Sequence, residues 1–277
     1  MAGAGGPAQA QAHPPRDPLR NGRRRLYPPR GPATFDVVSG TPNRLILFDI
    51  DGTLLTAGGA PRRAFRRALI EHFGTDGDEA RMDFSGKTDP EIVYELMGRA
   101  GFADERIEER IAALFDHYLD GLERELEVDA GHRLHPGVAE LVDALAADRR
   151  VVLGLVTGNV ERGARLKLER FDLWRRFAVG AFGSDDRQRD RLPAIAIERA
   201  RRLTGRPFQG RDAIVIGDTP ADIRCARAAG AFAVAVATGR PTRSELQASG
   251  PDLLLDTLEE WPRLLDELGL ALDCIPS

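Results

Sequence analysis

Apolar runs long enough for strands alternate with helix-period patterns along the chain from residue 44 onward. The strand-length runs span residues 45–50, 151–156, 178–182, 213–217 and 231–237. Helical patterns between them begin at prolines such as Pro193 and Pro220, and proline suits the first turn of a helix. Alternating strands and helices build parallel sheets with helices on both faces. The pattern therefore predicts an α/β fold with a doubly wound parallel sheet.

The region between the first two predicted strands breaks this rhythm, because residues 51–150 are far more than one crossover helix needs. Two amphipathic helical patterns occupy it, at residues 64–73 and 107–122. The predicted domains are an all-helical insert over residues 60–133 and an α/β core over residues 44–59 and 134–277. Such an insert would lie over the carboxyl end of the first strand, as a lid does.

The first predicted strand ends in the sequence "FDIDGTLL", where Asp49 and Asp51 lie two residues apart and Gly52 follows. A hairpin is one interpretation, because Asp-Gly between apolar runs favours a type I′ turn. A calcium loop is excluded, because Gly52 follows Asp51 directly and the third oxygen ligand of that pattern is missing. The third interpretation is a catalytic pair of acids at the carboxyl end of a parallel strand. The helical insert favours this last interpretation, because a hairpin needs no lid.

Polar residues also follow three later strands. They form three segments, which are Thr157-Gly158-Asn159, the loop with Arg187, Arg189 and Arg191, and Asp218 to Asp222. Each segment alone is typical of a loop or a helix N-cap. Because the carboxyl ends of parallel strands meet at one edge of a sheet, four such segments in this order predict a single site.

In these motifs the chain resembles the haloacid dehalogenase-like phosphohydrolase superfamily, and most closely its phosphoglycolate phosphatase-like members with a small helical cap. The segments "DIDGTLL", "VTGN" and "GDTPAD" match the first, second and fourth motifs of that family. The similarity covers nearly all residues after residue 43. It implies a Rossmann-like core in which the strand that ends at Asp49 is central, with a cap domain inserted after it.

The resemblance also implies a role for each acid. On the family's pattern Asp49 attacks phosphorus and forms an aspartyl-phosphate, while Asp51 protonates the leaving oxygen and then activates water. The implied cofactor is Mg²⁺, bound by Asp49, the backbone carbonyl of Asp51, and Asp218. Thr157 would hold the phosphoryl oxygens, and Asp222 would orient the metal site from behind its ligands.

Substrate contacts are expected from Gly158, Asn159 and Lys87. Lys87 lies in "FSGKTDPEI", which is similar to a cap loop of phosphoglycolate phosphatase-like proteins and would bring its charge to a second anionic group of the substrate. The alternative is a helix N-cap formed by Thr88 or Asp89 ahead of a proline. Both interpretations can hold together.

The family's third motif normally supplies a lysine, and neither lysine of this chain lies there. An arginine must then take this role, because a guanidinium binds phosphate in a bidentate manner and stays charged. Arg189 is the predicted residue, and Arg191 is the alternative. Lys167, within "ARLKLERF", is interpreted as a charge on a helix surface. No histidine lies in these motifs, so a His-based triad is not predicted.

Charge and composition indicate which kinds of partner the protein is expected to bind. The net charge of the chain is −4, yet residues 1–43 carry six Arg, no Lys and two Asp, so the remainder is acidic and nucleic acid is not its expected main partner. Those residues also hold eight of the 18 prolines and are predicted to be a disordered leader. No apolar run reaches membrane-span length, and two cysteines are too few for a disulfide framework. We therefore expect no membrane partner and a cytoplasmic location.

The predicted function is Mg²⁺-dependent hydrolysis of a small phosphorylated metabolite, a phosphomonoester, by a monomer or homodimer. A sugar-phosphate mutase of the β-phosphoglucomutase type stays open, because it shares the core residues. A binding module whose Asp49 is phosphorylated without turnover also stays open, although such a switch needs no acid like Asp51. A dehalogenase is disfavoured, because it needs neither Asp51 nor Asp218.

Overall fold

The computed structural model of the protein describes Met1 and residues 44–270. The predicted leader, residues 1–43, lies outside the described residues apart from Met1. The strands are β1 (Arg44–Phe48), β2 (Leu55–Ala57), β3 (His132–Leu134), β4 (Val151–Thr157), β5 (Val179–Phe182), β6 (Ala213–Gly217), β7 (Phe232–Val236) and β8 (Leu253–Leu255). The α-helices are α1 (Ala60–Phe73), α2 (Asp89–Arg99), α3 (Asp104–Val128), α4 (Val138–Ala147), α5 (Glu161–Glu169), α6 (Leu192–Thr204), α7 (Pro220–Ala228), α8 (Arg243–Ala248) and α9 (Trp261–Glu267).

Six strands form one parallel sheet in the order β5-β4-β1-β6-β7-β8. The strand β1 is central, and Phe48 at its end is level with Leu155 of β4 and Ile216 of β6. The carboxyl ends of these three strands therefore lie at the same edge of the sheet. The predicted parallel α/β sheet is confirmed, and its five predicted strands correspond to β1, β4, β5, β6 and β7. The sequence pattern missed β8, which has only three residues and lies at the edge.

Both faces of this sheet are covered by helices, as a doubly wound fold requires. Ile46 and Phe48 of β1 contribute to the hydrophobic core on one face, and Leu45 and Leu47 to the core on the other. All four side chains are fully buried. Burial on both faces explains why β1 is a continuous apolar run rather than an alternating one.

The helices α1, α2 and α3 lie between β2 and β3, as the predicted helical insert does. The strands β2 and β3 form a separate antiparallel pair, with Leu55 opposite Leu134. This pair was not predicted, because three-residue strands are too short to show a period of two. Phe65 of α1 packs edge-on against Tyr118 of α3, with ring centroids 5.1 Å apart. The extent of the insert as a domain of its own, residues 60–133, stays a prediction.

Among the residues that the structure describes, no helix combines the length and the apolar character that a membrane crossing requires.

Candidate active site

The carboxyl edge of the central strands brings the predicted acids together. Asp49 directly follows β1, Thr157 ends β4, and Asp218 directly follows β6. All three side chains are buried. They line a cavity of about 490 Å³ that also contacts α1, α3 and the loop before α2. This cavity is the candidate active site, because ligands of parallel α/β sheets bind at this edge.

Three buried carboxylates form a cluster, and two of them, Asp49 and Asp218, line the cavity. Oxygen atoms of Asp49, Asp218 and Asp222 all lie within 4.8 Å of one another. Burial raises the pKa of Asp49 from 3.8 to about 6, despite the opposing effect of the nearby Arg189 charge. Burial and the charge of Asp49 also raise the pKa of Asp218 well above its usual range. A hard divalent cation fits this set, because it prefers oxygen ligands and would offset the repulsion among them.

The backbone around Asp218 leaves no room for additional atoms. A Cβ on Gly239 would lie 1.7 Å from Asp218 Oδ2, and one on Gly52 would lie 2.3 Å from the same atom. Gly52 also needs its left-handed backbone, with φ of 87°, to turn the chain after Asp51. Thr53 donates a hydrogen bond of 3.0 Å to Asp218 Oδ1 and so fixes the carboxylate. The two glycines and Thr53 thus determine where the Asp218 carboxylate can lie.

Gly239→Ala is expected to weaken divalent-cation binding by about 10- to 100-fold, the usual cost of disturbing groups that orient metal ligands. The added methyl group must displace Asp218, because its Cβ would lie 1.7 Å from Oδ2. Calorimetric titration with Mg²⁺ measures the change. Gly98→Ala in α2 is the control, because its Cβ meets no atom within 4 Å. Equal Mg²⁺ affinity in wild type and Gly239→Ala would contradict the assignment of this site.

Arg189 lies beside the nucleophile candidate. Its Nη2 is 3.1 Å from Asp49 Oδ1 and 2.5 Å from Asp222 Oδ1. Burial alone would lower the pKa of this guanidinium, but the charges of Asp222 and Asp49 raise it well above its usual range. Its Nε is buried and contacts no partner within the described chain. The structure therefore places one fixed positive charge against two of the acids, and among the described residues its buried Nε has no hydrogen-bond partner.

The neighbouring arginines of the same loop lie elsewhere. Arg191 pairs with Asp186 at 3.2 Å, and its side chain is 64% exposed. Arg187 stacks over the ring of Tyr94, with 4.2 Å from guanidinium carbon to ring centroid. Residues 189–191 form a single 3₁₀ turn, and only Arg189 of this turn is buried. This geometry supports Arg189 over Arg191 for the role of the third motif.

Asp222 belongs to the acidic cluster, but both of its oxygens are already engaged. Oδ1 accepts from Arg189, and Oδ2 accepts from the backbone N–H and the hydroxyl of Thr219, at 3.0 and 2.6 Å. Thr219 in turn caps α7 through a capping box with Asp222. Asp222 is therefore placed to orient Arg189 and the start of α7, which supports the predicted position behind the ligands.

The prediction for Lys167 is wrong. This lysine is 2% exposed, and its Nζ lies 2.8 and 2.6 Å from the two oxygens of Asp51. It also donates a hydrogen bond of 2.6 Å to Asn159 Oδ1. Charged residues surround it in the sequence, but Lys167 shares the buried face of α5 with Ala164 and Leu168. The sequence contains one indication of this position. Lys167 lies three residues after the apolar Ala164, and positions i and i+3 lie on one helix face.

The second motif forms a hydrogen-bonded floor next to Asp51. Asn159 Nδ2 donates to Asp51 Oδ2 at 2.7 Å and to Thr157 Oγ1 at 2.8 Å. Gly158 lies against the cap loop, where a Cβ would be 2.0 Å from the carbonyl oxygen of Lys87. The structure thus brings all three predicted residues of this motif into the cavity wall.

The loop before α2 connects the insert to this floor. Thr88 forms a capping box with Glu91, so the N-cap interpretation is confirmed. Asp89 donates its backbone N–H to Gly158 O at 2.7 Å, and its carboxylate accepts from the backbone N–H of Val160 at 2.9 Å. Lys87 lines the cavity and pairs with Glu95. Its predicted contact with a second substrate anion stays a prediction.

Comparisons with known proteins agree with this geometry. The family model of haloacid dehalogenase-like hydrolases matches residues 43–230. A phosphoglycolate phosphatase of Rhodospirillum rubrum is 30% identical over 236 residues, which cover 82% of this chain and 91% of that protein. A phosphoglycolate phosphatase of Synechococcus elongatus is 28% identical over 80% of this chain and 97% of its own length.

Solved structures share the fold. A structure described as a predicted phosphoglycolate phosphatase from Haemophilus somnus has a TM-score of 0.60 at 21% identity, covering 81% of this chain and 98% of that one. A hydrolase from Pseudomonas syringae has a TM-score of 0.60 at 21% identity, covering 82% of this chain and 99% of that one. The chain is therefore an enzyme of the haloacid dehalogenase-like hydrolase family.

Proposed function

We propose that this enzyme is a Mg²⁺-dependent phosphatase that hydrolyses a small phosphomonoester, with phosphoglycolate as the leading candidate. The observation that carries the proposal is the position of Asp49 at the end of the central strand, between the acid Asp51 and the cation of Arg189. Similarity to phosphoglycolate phosphatases over most of the chain supports the choice of substrate. A small phosphorylated metabolite as partner and a cytoplasmic location are parts of the same proposal.

In the first step a carboxylate oxygen of Asp49 forms a bond to phosphorus, while the bond from phosphorus to the leaving oxygen breaks. Asp51 gives its proton to that oxygen, so the product leaves as an alcohol. Mg²⁺, held by Asp49, Asp218 and the backbone carbonyl of Asp51, would supply positive charge against the phosphoryl group and the carboxylates. Burial of Asp49 keeps bulk water from competing with the substrate.

In the second step a water oxygen bonds to phosphorus and the bond to Asp49 breaks. Asp51, now a carboxylate, takes the proton of that water, which returns both acids to their starting forms. The guanidinium of Arg189 and the hydroxyl of Thr157, which both line the cavity, would bind phosphoryl oxygens, whose charge changes in both steps. Lys87 and Arg133 line the same cavity and would pair with the carboxylate of phosphoglycolate.

Phosphate release from a panel of phosphomonoesters tests the proposal. Purified enzyme with Mg²⁺ is expected to release inorganic phosphate, with phosphoglycolate among the best substrates. Chromatography of hexose phosphates in the same reactions identifies a mutase, which would isomerise the sugar phosphate without net phosphate release. Labelling of Asp49 with no turnover of any substrate would identify a binding module instead.

Removal of metal is expected to abolish activity, and Mg²⁺ to restore it, whereas Ca²⁺ should substitute poorly because it favours looser coordination with more ligands. Mg²⁺ should also raise the melting temperature. At about 100 times its Kd, a ligand that binds only the folded state adds about 2.7 kcal/mol of stability, which corresponds to several degrees. Activity that persists fully after chelation would contradict the proposed cofactor.

The stabilisation by Mg²⁺ is expected to depend on pH in a defined direction. Burial raises the pKa of Asp49 from 3.8 to about 6, so the metal-free folded protein binds more protons than the unfolded chain between these values. The contribution of Asp49 to the folding stability of the metal-free protein therefore falls as pH rises through that window. A bound cation favours the carboxylate, so the shift in melting temperature should be large near about pH 7.5 and small near about pH 5. A shift that is constant with pH would contradict Asp49 as a ligand.

A further inference from the structure

Lys167 is buried beside a carboxylate that is itself partly exposed. The lysine side chain is 3% exposed, whereas that of Asp51 is 42% exposed. The ammonium contacts both oxygens of Asp51 and the amide oxygen of Asn159, at 2.8, 2.6 and 2.6 Å. An ammonium has three donors, so these contacts use all of them. Asp51 thus reaches the cavity with its orientation already fixed.

Folding stability does not explain this arrangement. Moving an ammonium out of water is energetically costly, and well-packed apolar residues often replace buried ion pairs without loss of stability. The neighbours of Lys167 on the buried face of α5 are Ala164 and Leu168, which an apolar side chain would match. The position is instead occupied by a lysine, whose ammonium group contacts the carboxylate of Asp51.

A second contact restrains Asp51 from the side of β4. Asn159 Nδ2 donates to Asp51 Oδ2 at 2.7 Å, and Lys167 holds the oxygen of the same amide. Lys167, Asn159 and Asp51 therefore form a closed triangle of hydrogen bonds. This triangle fixes the Asp51 carboxylate although solvent reaches part of it.

The two cations of the site serve different acids. Arg189 lies 3.1 Å from Asp49, the predicted nucleophile, and Lys167 lies 2.6 Å from Asp51. Arg189 comes from the loop after β5, whereas Lys167 comes from the helix after β4. The site thus assigns a separate cation to each acid.

We propose that Lys167 is a positioning residue that holds Asp51 in the orientation from which it transfers protons to the leaving oxygen and from water. This inference rests on the proposed phosphatase function. The bonds and protons of the two steps are unchanged: Asp49 bonds to phosphorus, the leaving oxygen departs with the proton of Asp51, and water later returns a proton to Asp51. Lys167 takes part through Asp51 and gains or loses no proton itself.

Two substrates with different leaving groups can distinguish this positioning role of Lys167 from a purely structural one. Glycolate leaves phosphoglycolate as an alkoxide unless it is protonated, so its departure depends on a well-placed acid. Nitrophenolate is a stable anion, so 4-nitrophenyl phosphate needs little proton transfer. Positioned acids and bases contribute about 10²- to 10⁴-fold. The kcat/KM value isolates the first step, because it covers events only up to release of the leaving group.

Lys167→Met is expected to lower kcat/KM by about 10²- to 10³-fold for the alkyl phosphate that wild type hydrolyses best, phosphoglycolate in the proposed function. The loss with 4-nitrophenyl phosphate should stay within about 10-fold. The ratio of the two losses is independent of the fraction of folded enzyme, so it stays valid if the variant folds poorly. Lys167→Gln, which keeps a polar side chain but lacks the charge, should show a similar ratio of the two losses. Arg165→Met, at a partly exposed position of α5, is the control and should match wild type on both substrates.

A double variant tests whether Lys167 acts through Asp51. Asp51→Asn should show the same selective loss on the alkyl phosphate, and Asp51→Asn with Lys167→Met should be no worse than Asp51→Asn alone. Equal losses on both substrates, or multiplying losses in the double variant, would overturn the inference. Wild-type turnover of the two substrates tests the proposed function separately, because it requires no variant.

Discussion

Asp49→Asn is expected to abolish turnover while the fold stays intact. The amide has the shape of the carboxylate, but it cannot form the bond to phosphorus, and loss of a covalent nucleophile costs several orders of magnitude in kcat. The structure predicts no loss of stability near neutral pH. Burial already disfavours the charge of Asp49, since it raises the pKa of this acid to about 6. Phosphate release and thermal melting measure the two effects.

The matched control for this variant is Asp148→Asn. Asp148 precedes β4, at the opposite edge of the sheet from the cavity, and pairs with Arg150. Its loss should leave kcat unchanged. Asp49→Asn that turned over substrate at a rate near wild type would exclude the covalent mechanism.

Arg189→Ala should lower kcat/KM by about 10²- to 10³-fold, the usual cost of removing one donor that stabilises developing charge. The variant also leaves Asp49 and Asp222 buried without their cation, because the guanidinium lies 3.1 and 2.5 Å from these acids. A lower melting temperature should therefore accompany the kinetic loss. Arg189→Lys should recover only part of the activity, since a point charge cannot reproduce the planar guanidinium.

Arg191→Ala is the control from the same turn. Its side chain is 64% exposed and pairs with Asp186 at the surface, so steady-state kinetics should stay near wild type. If Arg191→Ala were the inactive variant and Arg189→Ala the active one, the assignment of the third motif would be wrong by two residues.

The core of the fold and most of the acids could be predicted because each depends on a local pattern. An apolar run buried on both faces indicates a central parallel strand, and parallel strands place their carboxyl ends at one edge. Because Asp49, Thr157 and Asp218 each follow or end such a run, the sequence alone is enough to expect them at one site. The roles of these residues are proposals, which the kinetic and metal-binding experiments test.

The contact of Lys167 with Asp51 could not be predicted from the sequence, because the two residues lie 116 positions apart. The surrounding segment "ERGARLKLER" is rich in charged residues, which usually indicates a helix face that solvent reaches. Hydrophobic patterning likewise treats lysine as a surface residue. Only the packing of α5 against the insert and the sheet shows that the side chain of Lys167 points to the site.

The sequence also could not decide which of the three arginines faces the site, for a different reason. Arg187, Arg189 and Arg191 alternate along one loop, and the sequence does not define which way an irregular loop turns. The 3₁₀ turn at residues 189–191 directs the side chain of Arg189 inward and that of Arg191 outward.

The short strands β2 and β3 could not be predicted either, since their pairing depends on the position of the whole insert.

In the proposed mechanism Asp49 carries the phosphoryl group between the two steps, and a trapping experiment can detect this intermediate. Asp51→Asn, in which the second step lacks its base, is mixed with Mg²⁺ and 4-nitrophenyl phosphate radiolabelled at phosphorus, whose leaving group needs little proton transfer, and is quenched in acid. We expect label on the protein, located at Asp49 by peptide mapping and released by hydroxylamine, as an acyl phosphate requires. Product formation by this variant with no label on the protein at any time would contradict a covalent intermediate on Asp49.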